Sequence, residues 1–317
     1  MEIGGIDSKR GIDSKIRKLL GLEGNRKPRP EEKKPPEINY YQMLLPGRAG
    51  QDGIVVDSFP KPTEYLQELW KKAGIYFMAG VFDIHELTEK YRRDEYRYKN
   101  EGPEKAQQVF NSFQHYLRYF YSSKQSLSSR RSLVDAIGQA SSWTDENLLN
   151  PKSKSWWSDK LGVCFEMVIA TPYGLYLVHL GDGGAYLKPN NGEIQLLTTP
   201  HKPSEGRVGG ILAVNRTWGD GGVKRIVGTQ VLSPTPDVTR LPWKNLRGAS
   251  LLLTTDGLPD VASVSKRDLI TQAFQSKLNR PFQQEVANLM GSWNEMYSQR
   301  KVGVSADDVS CLLLEFK

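Results

Sequence analysis

Five aspartates, each at the edge of a strand-like apolar run, constrain this chain more than any other feature. They are Asp52, Asp83, Asp182, Asp256 and Asp307. Strand ends cluster at one rim of a sheet sandwich, so carboxylates placed there can converge on one point. Such carboxylates repel each other and lose hydration unless cations compensate them. Taken singly, each acid is a turn or cap residue, but the repetition indicates a shared site.

The stretch from Leu251 to Asp260 shows this pattern most clearly. Its opening Leu-Leu-Leu-Thr-Thr predicts a buried strand, because apolar and β-branched side chains pack well on a pleated surface. The strand stops at Asp256-Gly257, a turn-forming pair, and Asp260 follows four residues later. For this segment alone, a strand cap with a surface acid is the simpler interpretation.

The remaining periodicity indicates an α+β fold. Strands are predicted at 75–82, at 307–316 and in a hairpin of 162–170 with 174–180, and helices at 62–72, over most of 87–150 and at about 266–298. Short strands, then helices, then strands predict a mainly antiparallel sheet architecture. The strand at 75–82 is expected to end in Asp83-Ile84-His85-Glu86, from which a helical pattern begins.

Two segments of different character divide the chain. Residues 1–38 are predicted to be a disordered, basic and proline-rich tail, in which Gly-Ile-Asp-Ser-Lys occurs twice. A docking segment built on Ile16, Leu19, Leu20 and Leu22 is the alternative for part of this tail. Residues 39–317 are predicted to form the folded domain.

Composition excludes some functions and leaves others open. No apolar run is long enough to span a membrane and the start lacks a secretory signal, so a cytoplasmic location is expected. The net charge is +7, but no dense basic run has aromatics interleaved, so nucleic-acid binding is not indicated. Cys164 and Cys311 lie in apolar runs and are interpreted as buried free thiols. The oligomeric state stays open.

The chemistry of the five acids favours divalent cations. Oxygen ligands without a Cys/His set select Mg²⁺ or Mn²⁺ rather than zinc. Two such ions about 4 Å apart can activate a bridging water and bind a phosphoryl oxygen, which is two-metal hydrolysis.

Seven motifs in order resemble those of the type 2C metal-dependent Ser/Thr protein phosphatases, over residues 40 to 317. Each motif is weak alone, but the order is specific. They are Val81-Phe-Asp83-Ile-His85, Gly181-Asp182-Gly183, Leu197-Thr-Thr-Pro-His201-Lys-Pro203, Leu212-Ala-Val-Asn-Arg216-Thr-Trp-Gly-Asp220, Ser233-Pro-Thr-Pro-Asp237, Thr255-Asp256-Gly-Leu-Pro-Asp260 and Asp307-Asp308-Val-Ser310.

The resemblance implies a sandwich of two antiparallel sheets flanked by helices, with a binuclear Mn²⁺ or Mg²⁺ site at one end. It implies that Asp52, Asp83, Asp256 and Asp307 are metal-binding carboxylates, with the backbone carbonyl of Ile84 as a further ligand. Asp182, with Asp256, matches a weaker third metal position. His85 matches a general acid that protonates the leaving oxygen, and Arg48 a phosphate-binding arginine. The nucleophile would be metal-activated water.

Four departures from the family pattern bear on function. Ile84 replaces a glycine, Arg48 stands one residue closer to Asp52 than expected, and Pro200 replaces an acid before His201. The connection from His201-Lys-Pro to Leu212-Ala-Val is so short that the family's flap beside the active site is expected to be nearly absent.

The sequence therefore predicts an enzyme that removes phosphate from phosphoserine and phosphothreonine of a protein substrate. The main alternative is a catalytically weak or inactive phosphatase-like binding module. Hydrolysis of small phosphoesters is a third possibility.

Overall fold

A computed structural model describes residues 36–45, 52–58, 74–86, 102–123, 130–150, 161–204, 206–299 and 306–317. Residues 35–317 belong to one compact unit. Residues 1–35 of the predicted tail, the predicted helix at 62–72, the region 87–101 and Arg48 lie outside the described residues, so these predictions stay untested.

Two antiparallel sheets form the centre of the described chain, as the sequence predicts. The first sheet has the order β1-β11-β10-β6-β7 and the second β2-β3-β4-β5-β9, with β8 paired to β4. Their strands are β1 (Ile38–Leu45), β2 (Gly53–Ser58), β3 (Phe77–Glu86), β4 (Leu161–Thr171), β5 (Gly174–Leu180), β6 (Gly184–Lys188), β7 (Gln195–Leu196), β8 (Trp218–Gly219), β9 (Asp237–Leu241), β10 (Ser250–Thr254) and β11 (Val309–Phe316).

Helices cover the outer faces of both sheets. The described helices are α1 (Gly102–Ser123), α2 (Arg130–Leu149), α3 (Gly221–Val227), α4 (Trp243–Leu246), α5 (Gly257–Ser265), α6 (Leu269–Ser276) and α7 (Arg280–Gln299). Apolar side chains of α1 and α2 pack on the second sheet. Those of α5, α6 and α7 pack on the first sheet. The predicted α+β sandwich flanked by helices is therefore confirmed.

Strict alternation along the strands places the core between the sheets. Successive side chains of a strand point to opposite faces, and every second residue here faces the other sheet. These inner residues include Phe77, Ala79 and Val81 of β3, Val168 and Ala170 of β4, Leu175 and Leu177 of β5, Leu251 and Leu253 of β10, and Leu312 and Leu314 of β11. The outer face of β3 instead presents Phe82 and Ile84 to the helices.

The inner face becomes polar at one end of the sandwich. Continuing the same alternation, β3 reaches Asp83 and His85 after Val81. On β4, which runs antiparallel to β3, Glu166 and Cys164 precede Val168 in the same alternation. The strand pattern itself thus carries titratable side chains to the edge of the apolar core.

Strand β3 is longer than the sequence predicts. The predicted strand 75–82 stops too early, because β3 continues through Asp83 to Glu86 by pairing with the 11-residue β4 as far as Glu86 and Leu161. Asp83 therefore lies inside a strand, opposite Cys164 of β4.

The connection between His201 and Trp218 is short. Apart from residue 205, which is not described, it contains a tight turn closed by an isolated bridge between Val208 and Leu212. Gly209 and Gly210 form this turn with φ of 58° and 75°, values that favour glycine. None of the described helices is long and apolar enough to cross a membrane.

Candidate active site

Strand β3 and the ends of β2, β5, α5 and β11 bring the five predicted aspartates to the polar end of the sandwich. Asp52 precedes β2, Asp83 lies in β3, Asp182 follows β5, Asp256 precedes α5 and Asp307 precedes β11. The charge of Asp83 interacts with those of the other four. The structure therefore brings together all five aspartates, which come from distant parts of the sequence.

A hydroxyl and a second carboxylate hold Asp52 in place. Thr255 donates its hydroxyl to Asp52 Oδ2 at 2.9 Å, and the backbone N–H of Asp52 donates to Asp308 Oδ2 at 3.2 Å. Thr255 also accepts the backbone N–H of Ser310 at 3.1 Å. These bonds tie the start of β2 to the ends of β10 and β11.

Asp256 stands at the start of α5 without capping it. Its side chain makes no hydrogen bond to the first turn of the helix. Close packing fixes it, because a Cβ on Gly257 would lie 2.0 Å from the backbone oxygen of Asp308. The carboxylate is therefore free of helix capping and lies among other acids.

Burial and mutual repulsion perturb the titration of the cluster. Burial and the charges of Asp308 and Asp307 raise the pKa of Asp52 well above its usual value. Burial and the charges of Asp182 and Asp307 do the same to the pKa of Asp256. Burial raises the pKa of Asp307 to about 6, although the backbone N–H of Asp308 donates a hydrogen bond to Asp307 Oδ1 and thereby opposes the rise.

One lysine partly offsets this negative charge. Lys202 Nζ lies 3.8 Å from Asp182 Oδ2, but the lysine is largely exposed and burial still raises the pKa of Asp182. A charge at that distance near solvent interacts weakly. The cluster is therefore the environment in which oxygen-ligated divalent cations fit.

His85 is held by a buried aspartate. Its Nε2 lies 3.0 Å from Asp220 Oδ2, and Asp220 is fully buried. Burial lowers the pKa of His85, but the charge and hydrogen bond of Asp220 outweigh it and raise the pKa above its usual value. The protonated imidazole is thus favoured next to the aspartate cluster.

The turn that carries Asp220 is itself held by a buried ion pair. Asp220 precedes α3 with a left-handed φ of 53° and its side chain does not cap that helix. Asp145 accepts from the buried Lys224 and, at 2.7 Å, from the backbone N–H of Gly219. The Asp145–Lys224 pair thereby fixes the turn that carries Asp220.

Gly162 provides the space for the His85–Asp220 pair. A Cβ at this position would lie 2.1 Å from Asp220 Oδ2 and 2.2 Å from His85 Nε2.

We expect Gly162→Ala to separate the side chains of His85 and Asp220 and to lower the free energy of unfolding by about 1–3 kcal/mol through overpacking. Thermal unfolding measures the cost. Gly138→Ala in α2 is the matched control, because no atom lies within 4 Å of its added Cβ and alanine favours a helix. Equal stability of the two variants would contradict the prediction.

Two further histidines support the loops around Asp182. His201 accepts the backbone N–H of Gly181 at Nδ1, 3.1 Å away, and contacts Asp237 Oδ2 through Nε2 at 3.0 Å. Burial lowers the pKa of His201 to about 4, so the ring is neutral near pH 7. Its ring stacks on that of His179, with centroids 4.2 Å apart.

Sequence reasoning missed the polar residues of β4 and overlooked one threonine. Glu166 pairs with His179 Nδ1 at 2.5 Å inside the sandwich, and Thr255 holds Asp52. The sequence feature that could have indicated this buried pair is the single charged residue, Glu166, inside the apolar run 162–170. It shares its alternation with Val168, which places it on the inner face of the sheet.

Comparisons with known proteins agree with this architecture. A family model described as Protein phosphatase 2C matches residues 93–205. A search of curated proteins gave no significant match. Among solved structures, a serine-threonine phosphatase 2C from Toxoplasma gondii matches with a TM-score of 0.56 at 18% identity, covering 89% of this chain and 97% of that one.

Two other solved structures show the same fold. A C. elegans sex determining protein matches with a TM-score of 0.53 at 19% identity, covering 96% of this chain and 71% of that one. A serine/threonine phosphatase from S. agalactiae matches with a TM-score of 0.53 at 14% identity, covering 89% of this chain and 100% of that one. The resemblance to the type 2C phosphatases that the motifs predict is thus confirmed, and the described chain has the fold of that family.

Proposed function

We propose that the protein is a metal-dependent phosphatase that hydrolyses phosphoserine and phosphothreonine in protein substrates. The observation that carries this proposal is the convergence of Asp52, Asp83, Asp182, Asp256 and Asp307 beside the His85–Asp220 pair. No structural need of the fold explains five carboxylates in one place, because each raises the pKa of its neighbours and opposes folding when charged.

The residues present fit Mn²⁺ or Mg²⁺. The five carboxylates offer hard oxygen atoms, which these ions prefer. Asp52, Asp83, Asp256 and Asp307 would hold two ions, and Asp182 with Asp256 would contribute to a third. Ile84 lies in β3 opposite Val163, and its carbonyl stays a predicted ligand. When bound, the ions supply an activated water and positive charge for the phosphoryl group.

The protein's own groups have separate tasks in this proposal. Thr255 and Asp308 keep Asp52 oriented toward the cluster. His85, kept protonated by Asp220, donates a proton to the oxygen of the departing serine or threonine. Arg48 is proposed to bind the phosphate oxygens through its planar guanidinium.

Turnover by the full-length protein tests the function. We expect Mn²⁺-dependent hydrolysis of an aryl phosphate and of a phosphoserine peptide, with no turnover in the presence of a chelator. A protein that binds Mn²⁺ in calorimetry but hydrolyses neither substrate would support the alternative, a phosphatase-like binding module. Hydrolysis of the aryl phosphate alone would favour small phosphoesters as substrates.

The role of His85 is tested by comparing leaving groups. His85→Ala should lower kcat for a phosphoserine peptide about 100-fold, because an alkoxide needs a proton to depart and general acids contribute roughly 10²–10⁴-fold. An activated aryl phosphate, whose leaving group departs as an anion, should lose much less. Equal losses on both substrates would remove the general-acid role.

A further inference from the structure

The inner face of β3 and β4 places a thiol beside the aspartates. Cys164 is the register partner of Asp83 across these strands, so both side chains project from the same face of the sheet. His85 follows two residues after Asp83 on that face. One potential ligand atom from each of Asp83, His85 and Cys164 lies within 4.8 Å of the others.

A buried carboxylate oxygen faces the same region. Glu166 is 1% exposed and uses Oε1 for His179, whereas Oε2 has no hydrogen-bond partner among the residues that the structure describes. Glu166 lines a small cavity together with Asp83, Cys164 and Thr254. An unpaired buried carboxylate oxygen is costly, and a cation in this cavity would compensate it.

The contact between His85 and Asp220 also fits metal binding. Histidines that bind metals usually direct their other ring nitrogen to a carboxylate or a carbonyl, which fixes the ring. With Nε2 of His85 on Asp220, Nδ1 is the nitrogen left for a ligand. The Asp220 contact therefore serves the imidazole in either role, as an acid or as a ligand.

We propose that Asp83, His85 and Cys164 form a site for a borderline divalent cation such as Zn²⁺, whose charge would also compensate the nearby carboxylate of Glu166. One sulfur, one nitrogen and carboxylate oxygens are the donor set that Zn²⁺ accepts in tetrahedral sites, whereas Mg²⁺ and Ca²⁺ avoid sulfur. Binding replaces the S–H bond of Cys164 by a sulfur–metal bond and releases the proton to solvent.

This site shares Asp83 and His85 with the proposed catalytic centre. A zinc ion bound there would exclude Mn²⁺ from Asp83 and occupy the imidazole of His85, so it would inhibit hydrolysis. The inhibition rests on the proposed function, but zinc binding itself does not. The two are therefore separable by a measurement that does not use turnover.

Cobalt spectroscopy of the full-length, metal-free protein tests the ligand set. Co²⁺ bound to a thiolate absorbs in the near ultraviolet by charge transfer from sulfur, and Co²⁺ bound only by nitrogen and oxygen does not. We expect this band in the wild type, its loss in Cys164→Ser and its displacement by Zn²⁺. The matched control is Cys311→Ser, which changes the only other cysteine and should keep the band. His85→Ala should weaken Co²⁺ binding at least about tenfold.

X-ray absorption of the zinc-loaded wild type gives a second measurement that needs no variant. We expect one sulfur at about 2.3 Å and nitrogen or oxygen atoms at about 2.0–2.1 Å. A shell of nitrogen and oxygen alone, or a cobalt band that survives in Cys164→Ser, would overturn the proposal. A sulfur-ligated metal in a protein without Mn²⁺-dependent turnover would keep this site and refute the proposed function.

Discussion

Replacing Asp256 by Asn should abolish metal-dependent turnover and at the same time stabilise the metal-free protein. The carboxylate is a proposed metal ligand, and even residues that only support metal ligands cost 10–100-fold when lost, so we expect kcat to fall by at least about 100-fold. Without metal, the same negative charge lowers the stability of the fold, because it is repelled by Asp182 and Asp307. Its removal should raise the free energy of unfolding by about 1 kcal/mol.

The opposite signs of these two effects distinguish a functional acid from a structural one. Turnover with Mn²⁺ and thermal unfolding in a chelator measure them. Asp268→Ala is the control, since the exposed Asp268 accepts the backbone N–H of Thr271 at 3.0 Å and caps α6. Its loss should lower the free energy of unfolding by about 1 kcal/mol and leave turnover unchanged. An Asp256→Asn variant that is active, or less stable without metal, would contradict the assignment.

The metal-free protein should lose stability as the pH rises from about 4 to about 7. Burial raises the pKa of Asp307 to about 6 against a usual 3.8, and that of Glu166 to about 7 against 4.5. A carboxyl whose pKa is higher in the folded state binds protons on folding. Its contribution is therefore complete below the unfolded pKa and is lost as the pH rises through the folded pKa. Because Asp307 is partly open to solvent, we expect about 1 kcal/mol from this group.

Manganese should reverse this pH dependence. It binds deprotonated carboxylates, so binding strengthens with pH, and a concentration of 100 times the dissociation constant adds about 2.7 kcal/mol. Melting temperatures measured with and without Mn²⁺ across this range should diverge as the pH increases. A metal-free melting temperature that rises with pH would show that the protein's own cations compensate the cluster.

Local sequence patterns predicted much of the fold for physical reasons that are themselves local. Alternating and continuous apolar runs specified β4, β5, β10 and β11, and the hairpin turn at Thr171-Pro-Tyr173 joined two of them as predicted. The extent of β3 could not be predicted in the same way. Its last residues, Asp83 to Glu86, are polar or mixed, and they remain in the strand because β4 offers pairing partners.

The candidate site likewise has features that local sequence predicts and features that depend on tertiary contacts. The aspartates were visible as acids at the ends of apolar runs, and their order suggested a common site. The supporting contacts were not visible, because Thr255 and Asp52, or His85 and Asp220, are far apart in the sequence and meet only through sheet pairing. The sequence indicated only a buried thiol at Cys164, and the strand register is what places this thiol opposite Asp83.

The sequence by itself determined the α+β class, the mainly antiparallel pairing and the identity of the acids, since periodicity and residue type are properties of a segment, and the order of the motifs implied the sandwich by resemblance. Only the tertiary structure decided which side chains share a face, which carboxylates repel one another and which histidine is held by a buried acid. Those properties depend on strand register and burial, which arise when segments distant along the chain pack together.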